Sequence, residues 1–261
     1  LDDFGDVPLI VRSSSTLEDQ IGAAFSGKYK SLFLANRGSK SHRLEALKNA
    51  IIEVYASVFS PDPIQYRSER GLLDFHEEMG ILIQEVVGKK TGRYFFPLFS
   101  GVAFSNNEYR WSPRIKREDG LIRAVPGLGT RAVDRLTDDF PVLICPEQPE
   151  IRVNSLPDEI KRYSPKMIDV INLESDNFET VKIKELLKEY GNHISGIDKI
   201  VSLAEYEHIR RANIYEFNFG TDDAVVTFDG IISDTPYIKQ INLILKILKK
   251  NLGFPVDIEF A

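Results

Sequence analysis

Arg12 closes a short apolar, β-branched run (residues 7–11) and is followed by Ser13, Ser14, Ser15 and Thr16, then by a small-residue segment at 22–27. The apolar run predicts a strand that delivers Arg12 at its end, ahead of a hydroxyl-rich turn. A forked guanidinium beside hydroxyls suits phosphate oxygens. The small-residue segment, closed by Ser26 and Gly27, can wrap backbone N–H groups around the same anion. The bland reading of these letters is a strand and a polar turn, with Arg12 in a surface ion pair. At the far end, Asp257 and Glu259 alternate with Val256, Ile258 and Phe260. A strand there puts both carboxylates on one face. Two adjacent carboxylates repel unless a cation lies between them, and Mg2+ fits that role. A solvated polar face on an edge strand is the alternative.

Two glycine patterns mimic better-known nucleotide motifs. Gly127, Gly129 and Ala132 fit G-x-G-x-x-A, the dinucleotide fingerprint of a nicotinamide-dependent Rossmann oxidoreductase. Pro126 directly before Gly127 and the short helical pattern after it argue against that unit. Residues 22–28 fit the first seven positions of a P-loop, but Tyr29 stands where a magnesium-binding hydroxyl is needed, so a P-loop NTPase is rejected. His42, His76, His193 and His208 are scattered without ligand-like spacing, and no zinc site is expected.

The elements that must hold these residues can be sketched from periodicity. Leu44, Leu47, Ile51, Val54, Tyr55, Val58 and Phe59 predict a helix from about His42 with a core-facing stripe, stopped at Pro61 and Pro63. A second helix is expected from Pro63 through Arg70, with Arg67 and Arg70 as solvated charge. Residues 80–87 and 100–105 read as strands, with Ile83–Val87 and Val102–Phe104 expected as neighbours beside Arg12. Residues 145–150 form a proline-punctuated linker, 167–173 an alternating strand, and 181–190 an amphipathic helix closed at Gly191. Asp234, Thr235 and Pro236 begin a final helix that Gly253 stops.

The chain has 261 residues, enough for one large or two small domains, with 43% apolar and 28% charged residues, ordinary values for a globular protein. A net charge of −6 argues against nucleic acid as the main partner. Cys145 is the single cysteine, which excludes an internal disulfide framework and fits a reducing cytoplasm. No apolar run reaches bilayer length, so no membrane partner is expected.

Residues 11–19, V-R-S-S-S-T-L-E-D, with F-S-G at 25–27, resemble the nucleotide-binding domain of the phosphoenolpyruvate synthase (pyruvate, water dikinase) and pyruvate, phosphate dikinase family. I-Q-E-V-V at 83–87, G-V-A-F-S at 101–105, G-L-G-T-R-A-V at 127–133 and G-F-P-V-D-I-E-F-A at 253–261 extend the resemblance along most of the chain; it is thin across roughly 149–222. One departure stands out: Thr130 and Arg131 replace the family's glutamate after the second glycine.

The resemblance implies an α/β (α+β) ATP-grasp fold, with mixed sheets, flanking helices and two lobes around a cleft, the lobes spanning roughly 1–145 and 146–261. It implies ATP and Mg2+ as ligands. Arg12, Ser26, Gly27, Gly127 and Gly129 would meet the nucleotide. The main chain of Glu85, Val86 and Val87 would hold adenine. Glu259, with Asp257, would hold metal and nucleotide. In such proteins ATP phosphorylates a histidine on a swivelling domain, which carries the group to pyruvate on a barrel domain. Those domains would be partners within a longer protein, and the final acceptor is not chosen by these residues. The start at Leu1 and the stop at Ala261 read as an excised piece, lacking the family's earlier lysine segment and its following glutamine–arginine strand. The piece alone is therefore expected to be inactive. The other class of reading is a nucleotide-sensing module that binds without transfer.

Overall fold

The computed structural model describes residues 1–18, 28–74, 78–133 and 139–261. In chain order its first elements are β1 (Leu9–Ser15), β2 (Ser31–Leu34), α1 (Lys40–Ala56), α2 (Pro61–Glu69), β3 (Met79–Glu85), β4 (Lys89–Thr91), β5 (Tyr94–Phe96), β6 (Phe99–Phe104), β7 (Leu121–Pro126), α3 (Thr130–Val133) and β8 (Val142–Ile144). There follow α4 (Pro157–Tyr163), β9 (Met167–Asn172), β10 (Asn177–Lys182), α5 (Ile183–Tyr190), β11 (Val201–Glu205), β12 (His208–Arg210), β13 (Ala224–Val226), α6 (Asp229–Asp234), α7 (Tyr237–Leu252) and β14 (Asp257–Phe260). The strands form four sheets, ordered β2-β1-β3, β10-β9-β5-β4, β12-β11-β13 and β14-β6-β7-β8. This is a mixed α+β architecture, with no closed barrel among the described residues.

The chain divides into two compact units, and neither is a contiguous half. The first comprises residues 1–87, 93–95 and 171–179; the second comprises 88–92, 96–170 and 180–261. In the first unit, β1 pairs antiparallel with β2 and β3, and alternation sends Leu9, Val11, Ser13 and Ser15 to one face. Val11 packs there with Ala50 and Val54 of α1 and with Leu32, Leu34, Ile81 and Ile83. Ser39 caps α1 by accepting from the His42 amide, 3.3 Å away. The core-facing stripe is narrower than the sequence pattern predicts: Val54 is fully buried, whereas Leu44, Tyr55 and Phe59 are exposed.

Three further expectations are corrected. Ile83–Val87 and Val102–Phe104 are not neighbours: β3 pairs with β1, and β6 pairs with β7 and β14 in another sheet. Both runs are apolar, and composition alone does not name a strand's partner. Arg67 is not solvated but buried, its guanidinium donating to the Val58 carbonyl at 2.7 Å and the Pro63 carbonyl at 3.4 Å. It satisfies the Val58 carbonyl of a short 3-10 turn and the Pro63 carbonyl of α2, while Arg70 lies over the Tyr66 ring. The 167–173 strand is buried along nearly its whole length instead of alternating, because both of its faces are covered.

In the second unit, β6 is central to an antiparallel sheet with β14 and β7 on its sides. One face is covered by an aromatic group: Phe99, Tyr237 at the start of α7, Phe228 and Phe260, with ring centroids 5.1–6.2 Å apart. Burial there pushes the Tyr237 hydroxyl up to about 12. Gly253 ends α7 in the left-handed conformation, φ +80°, as its position just past the helix requires.

Candidate functional site

Arg12 stands in the middle of β1, between Ser31 and Leu82, not at its end. The strand runs on through the serines, so the expected hydroxyl-rich turn begins only after Ser15. Ser13 and Ser15 point into the α1-facing layer and are buried, with Ser13 Oγ donating to Glu18 Oε1 at 2.9 Å. Only Ser14 shares the face of Arg12. Directly opposite residues share a face, so that side of the sheet also carries Ile10, Phe33, Leu82 and Gln84. Arg12 is half-buried there, away from the α1 core. Ser26 and Gly27 lie outside the described residues.

The adenine-edge expectation can be read atom by atom. The Val86 amide donates to the Pro8 carbonyl at 2.9 Å. The Val86 N–H thus faces β1, and the alternation of an extended chain would turn the carbonyl of Glu85, the last residue of β3, and the amide of Val87, two residues on, to the other side. That side is the outer edge of β3, the last strand in its sheet order. An outward carbonyl and an outward N–H two residues on form an acceptor–donor pair. Arg12 lies in register with Leu82, three residues from Glu85 on β3, roughly 10 Å along the strand. One sheet of the first unit thus carries both the edge and the guanidinium. Gln84, on the Arg12 face, was passed over in the sequence; only its place as the first polar residue after the apolar run Ile81–Ile83 could have marked it.

The second unit brings together the remaining candidates. Asp257, Glu259, Val102, Phe104, Arg123 and Val125 share one face of the β14-β6-β7 sheet, by the register Glu259↔Val102↔Arg123 and Asp257↔Phe104↔Leu121. The alternation expected for β14 is present, with Asp257 and Glu259 exposed. The same face receives α3, whose Ala132 packs on Val102 and Val125. Between β7 and α3 lies the glycine loop. Gly127 has φ +72°, and its carbonyl accepts from Ser100 Oγ at 2.6 Å. Gly127 and Gly129 thus turn over the face that bears the two carboxylates. Arg123, half-buried on that face, is a second residue missed in the sequence, though it is the only charge in an apolar strand.

Asp257 and Glu259 alone do not make a cage: among the described residues no group of three or more His, Cys, Asp or Glu could hold a metal ion. Two carboxylates suit Mg2+, which takes one or two from protein and completes its shell with phosphates and water. Desolvation raises the Asp257 carboxyl above its ordinary range, although the residue stays exposed. The folded state therefore favours the protonated acid. Its contribution is intact below the unfolded value and is lost as pH rises through the folded one. Asp257→Asn is accordingly expected to melt slightly above the parent at pH 7, with the difference vanishing below the carboxylate range. Melting temperatures from pH 3 to 8 in metal-free buffer measure this, and equal melting at all pH values would refute it.

The sheets and glycine loop define an ATP-grasp-like nucleotide-binding module. β7 is antiparallel to both β6 and β8, so the G-x-G-x-x-A letters do not open a Rossmann unit, which needs a parallel crossover. The whole chain, residues 1–261, matches the family described as pyruvate phosphate dikinase, AMP/ATP-binding domain, and the chain belongs to that family. No curated protein matches it. No helix among the described residues is long and apolar enough to cross a membrane.

Proposed function

We propose that this domain binds ATP, with adenine on the Glu85–Val87 edge, and serves phosphoryl transfer from ATP to a histidine on a separate domain en route to pyruvate. Arg12 takes phosphate oxygens; Gly127 and Gly129 let backbone approach the nucleotide. Asp257 and Glu259 hold Mg2+, which when bound neutralises charge on the phosphates. The chain contributes positioning and charge, since such transfer asks for little covalent work from the protein. The histidine would lie elsewhere, as this chain contains no Gly-Gly pair of the kind that marks the family's phosphohistidine motif. A single buried thiol, Cys145, agrees with a cytoplasmic setting.

What supports this reading is the Val86–Pro8 bond, from which alternation sets an outward acceptor–donor pair, Glu85 C=O and Val87 N–H, at the end of β3. Adenine offers the complementary N6–H donor and N1 acceptor; guanine offers an O6 acceptor and an N1–H donor, the reverse. ATP is therefore expected to bind in preference to GTP. Val87→Pro removes the outward N–H without touching the Val86–Pro8 bond, and should weaken ATP binding about tenfold with little change in melting. Calorimetric titration of the protein and this variant with both nucleotides tests it. Equal affinity for ATP and GTP, or an unaffected variant, would exclude this edge. Binding without labelling of any histidine in the protein that carries the domain would favour the sensing module.

A further inference from the structure

Thr130 and Arg131, the pair that departs from the family pattern, both reach Asp169. Thr130 Oγ1 donates to Asp169 Oδ2, and Arg131 Nε donates to Asp169 Oδ1 at 3.3 Å. Thr180 Oγ1 adds a third bond, to Oδ1, at 2.6 Å. Arg131 Nη1 also pairs with Asp139 Oδ2 at 3.4 Å. Asp139 in turn accepts from the amides of Lys166 at 2.8 Å and Met167 at 3.1 Å. Arg131, Asp139 and Asp169 are each at most 8% exposed. Two buried carboxylates around one guanidinium are tolerable only because hydroxyls and amides fill their remaining lone pairs.

The cluster grips the glycine loop from both ends. The Asp169 carbonyl accepts from the Leu128 amide at 3.0 Å, and Gly127 forms a bridge with Asp169. The Asp169 side chain meanwhile holds Thr130, so Gly129 sits between two anchors on a single residue. The start of α3, Thr130–Val133, is fixed by Ala132 in the core and by this clasp.

We propose that Thr130 and Arg131 are positioning residues, which act through Asp169 and Asp139 to hold the Gly127–Gly129 loop in the one arrangement that receives nucleotide. This rests on the reading above that the loop meets ATP. Removing Arg131 would strand two buried carboxylates and threaten folding, so Thr130 is the better handle. In Thr130→Val, amide hydrogen exchange over residues 127–132 should accelerate about tenfold and the ATP dissociation constant should rise by a similar factor, for loss of one hydrogen bond to a charged group. The melting temperature should fall by only a few degrees, and Thr130→Ser should restore both readouts. Unchanged exchange would overturn the clasp, whether or not ATP binds. Faster exchange with unchanged ATP affinity would reduce the pair to scaffolding and refute the positioning role. Faster exchange in a protein that shows no ATP binding even before substitution would sink the nucleotide reading and, with it, this role, while leaving the clasp itself standing.

Discussion

Arg12→Ala is expected to cut ATP-dependent phosphorylation by the protein that carries this domain on the order of thirtyfold or more, while shifting its melting temperature little. The first part follows from chemistry: losing a charge-assisted contact to phosphate costs roughly 2–5 kcal/mol in a desolvated site, and the half-buried setting of Arg12 points to the lower end. The second follows from place. Arg12 projects from the face of β1 opposite Val11, whose side chain meets Ala50 and Val54, so truncation opens no cavity in that core. Arg12→Lys should recover only part of the rate, because a point charge cannot replace a two-pronged donor. ATP-dependent labelling of each variant, read beside thermal melts, decides the matter. Labelling near the parent level, or a melt collapse large enough to explain the loss, would return Arg12 to the role of an ordinary strand residue.

That prediction also shows how far the residue order reaches. The apolar run before Arg12 announces a strand, but not that it continues through three serines. Serine has no strong strand preference, and only pairing with Ile81 and Met79 on β3 keeps Ser13 and Ser15 extended. The alternation of Asp257 and Glu259 is legible because period two is a local property of a strand. The partner of β14 is not, since pairing with β6 is a contact across about 150 residues. The same limit explains the misplaced pairing of Ile83–Val87 with Val102–Phe104. Arg67 reads as solvated charge in the sequence because its burial depends on the Val58 carbonyl left over by the preceding 3-10 turn, a feature with no letter of its own. The Thr130–Arg131 departure was visible, yet its meaning required Asp139 and Asp169 to be seen beside it.

The two glycines of the loop, alike in the sequence, are expected to behave as opposites. Gly127 has φ +72°, and a Cβ built on it would lie 2.4 Å from Ile168 Cγ1 and 2.5 Å from the Asp169 carbonyl oxygen. The backbone conformation alone costs an L residue about 1 kcal/mol. The carbonyl cannot retreat without giving up its bond to the Leu128 amide. Gly127→Ala should therefore destabilise by roughly 3 kcal/mol or more, the range of overpacking combined with backbone strain. At Gly129 the nearest atom to an added Cβ is Ser100 Cβ at 3.3 Å, and φ lies outside the left-handed range. That contact relaxes with a shift of a few tenths of an ångström, so Gly129→Ala should cost less than about 1 kcal/mol. Its methyl group would instead stand where the loop's backbone approaches the nucleotide, and ATP affinity should drop about tenfold, as loss of about 1.4 kcal/mol of contact would give. Urea unfolding and ATP titration of both variants separate these effects. A fully stable Gly127→Ala would contradict the packing of the loop on Asp169. A Gly129→Ala protein that binds ATP like the parent would remove Gly129 from the nucleotide site and leave Gly127 with a structural role alone.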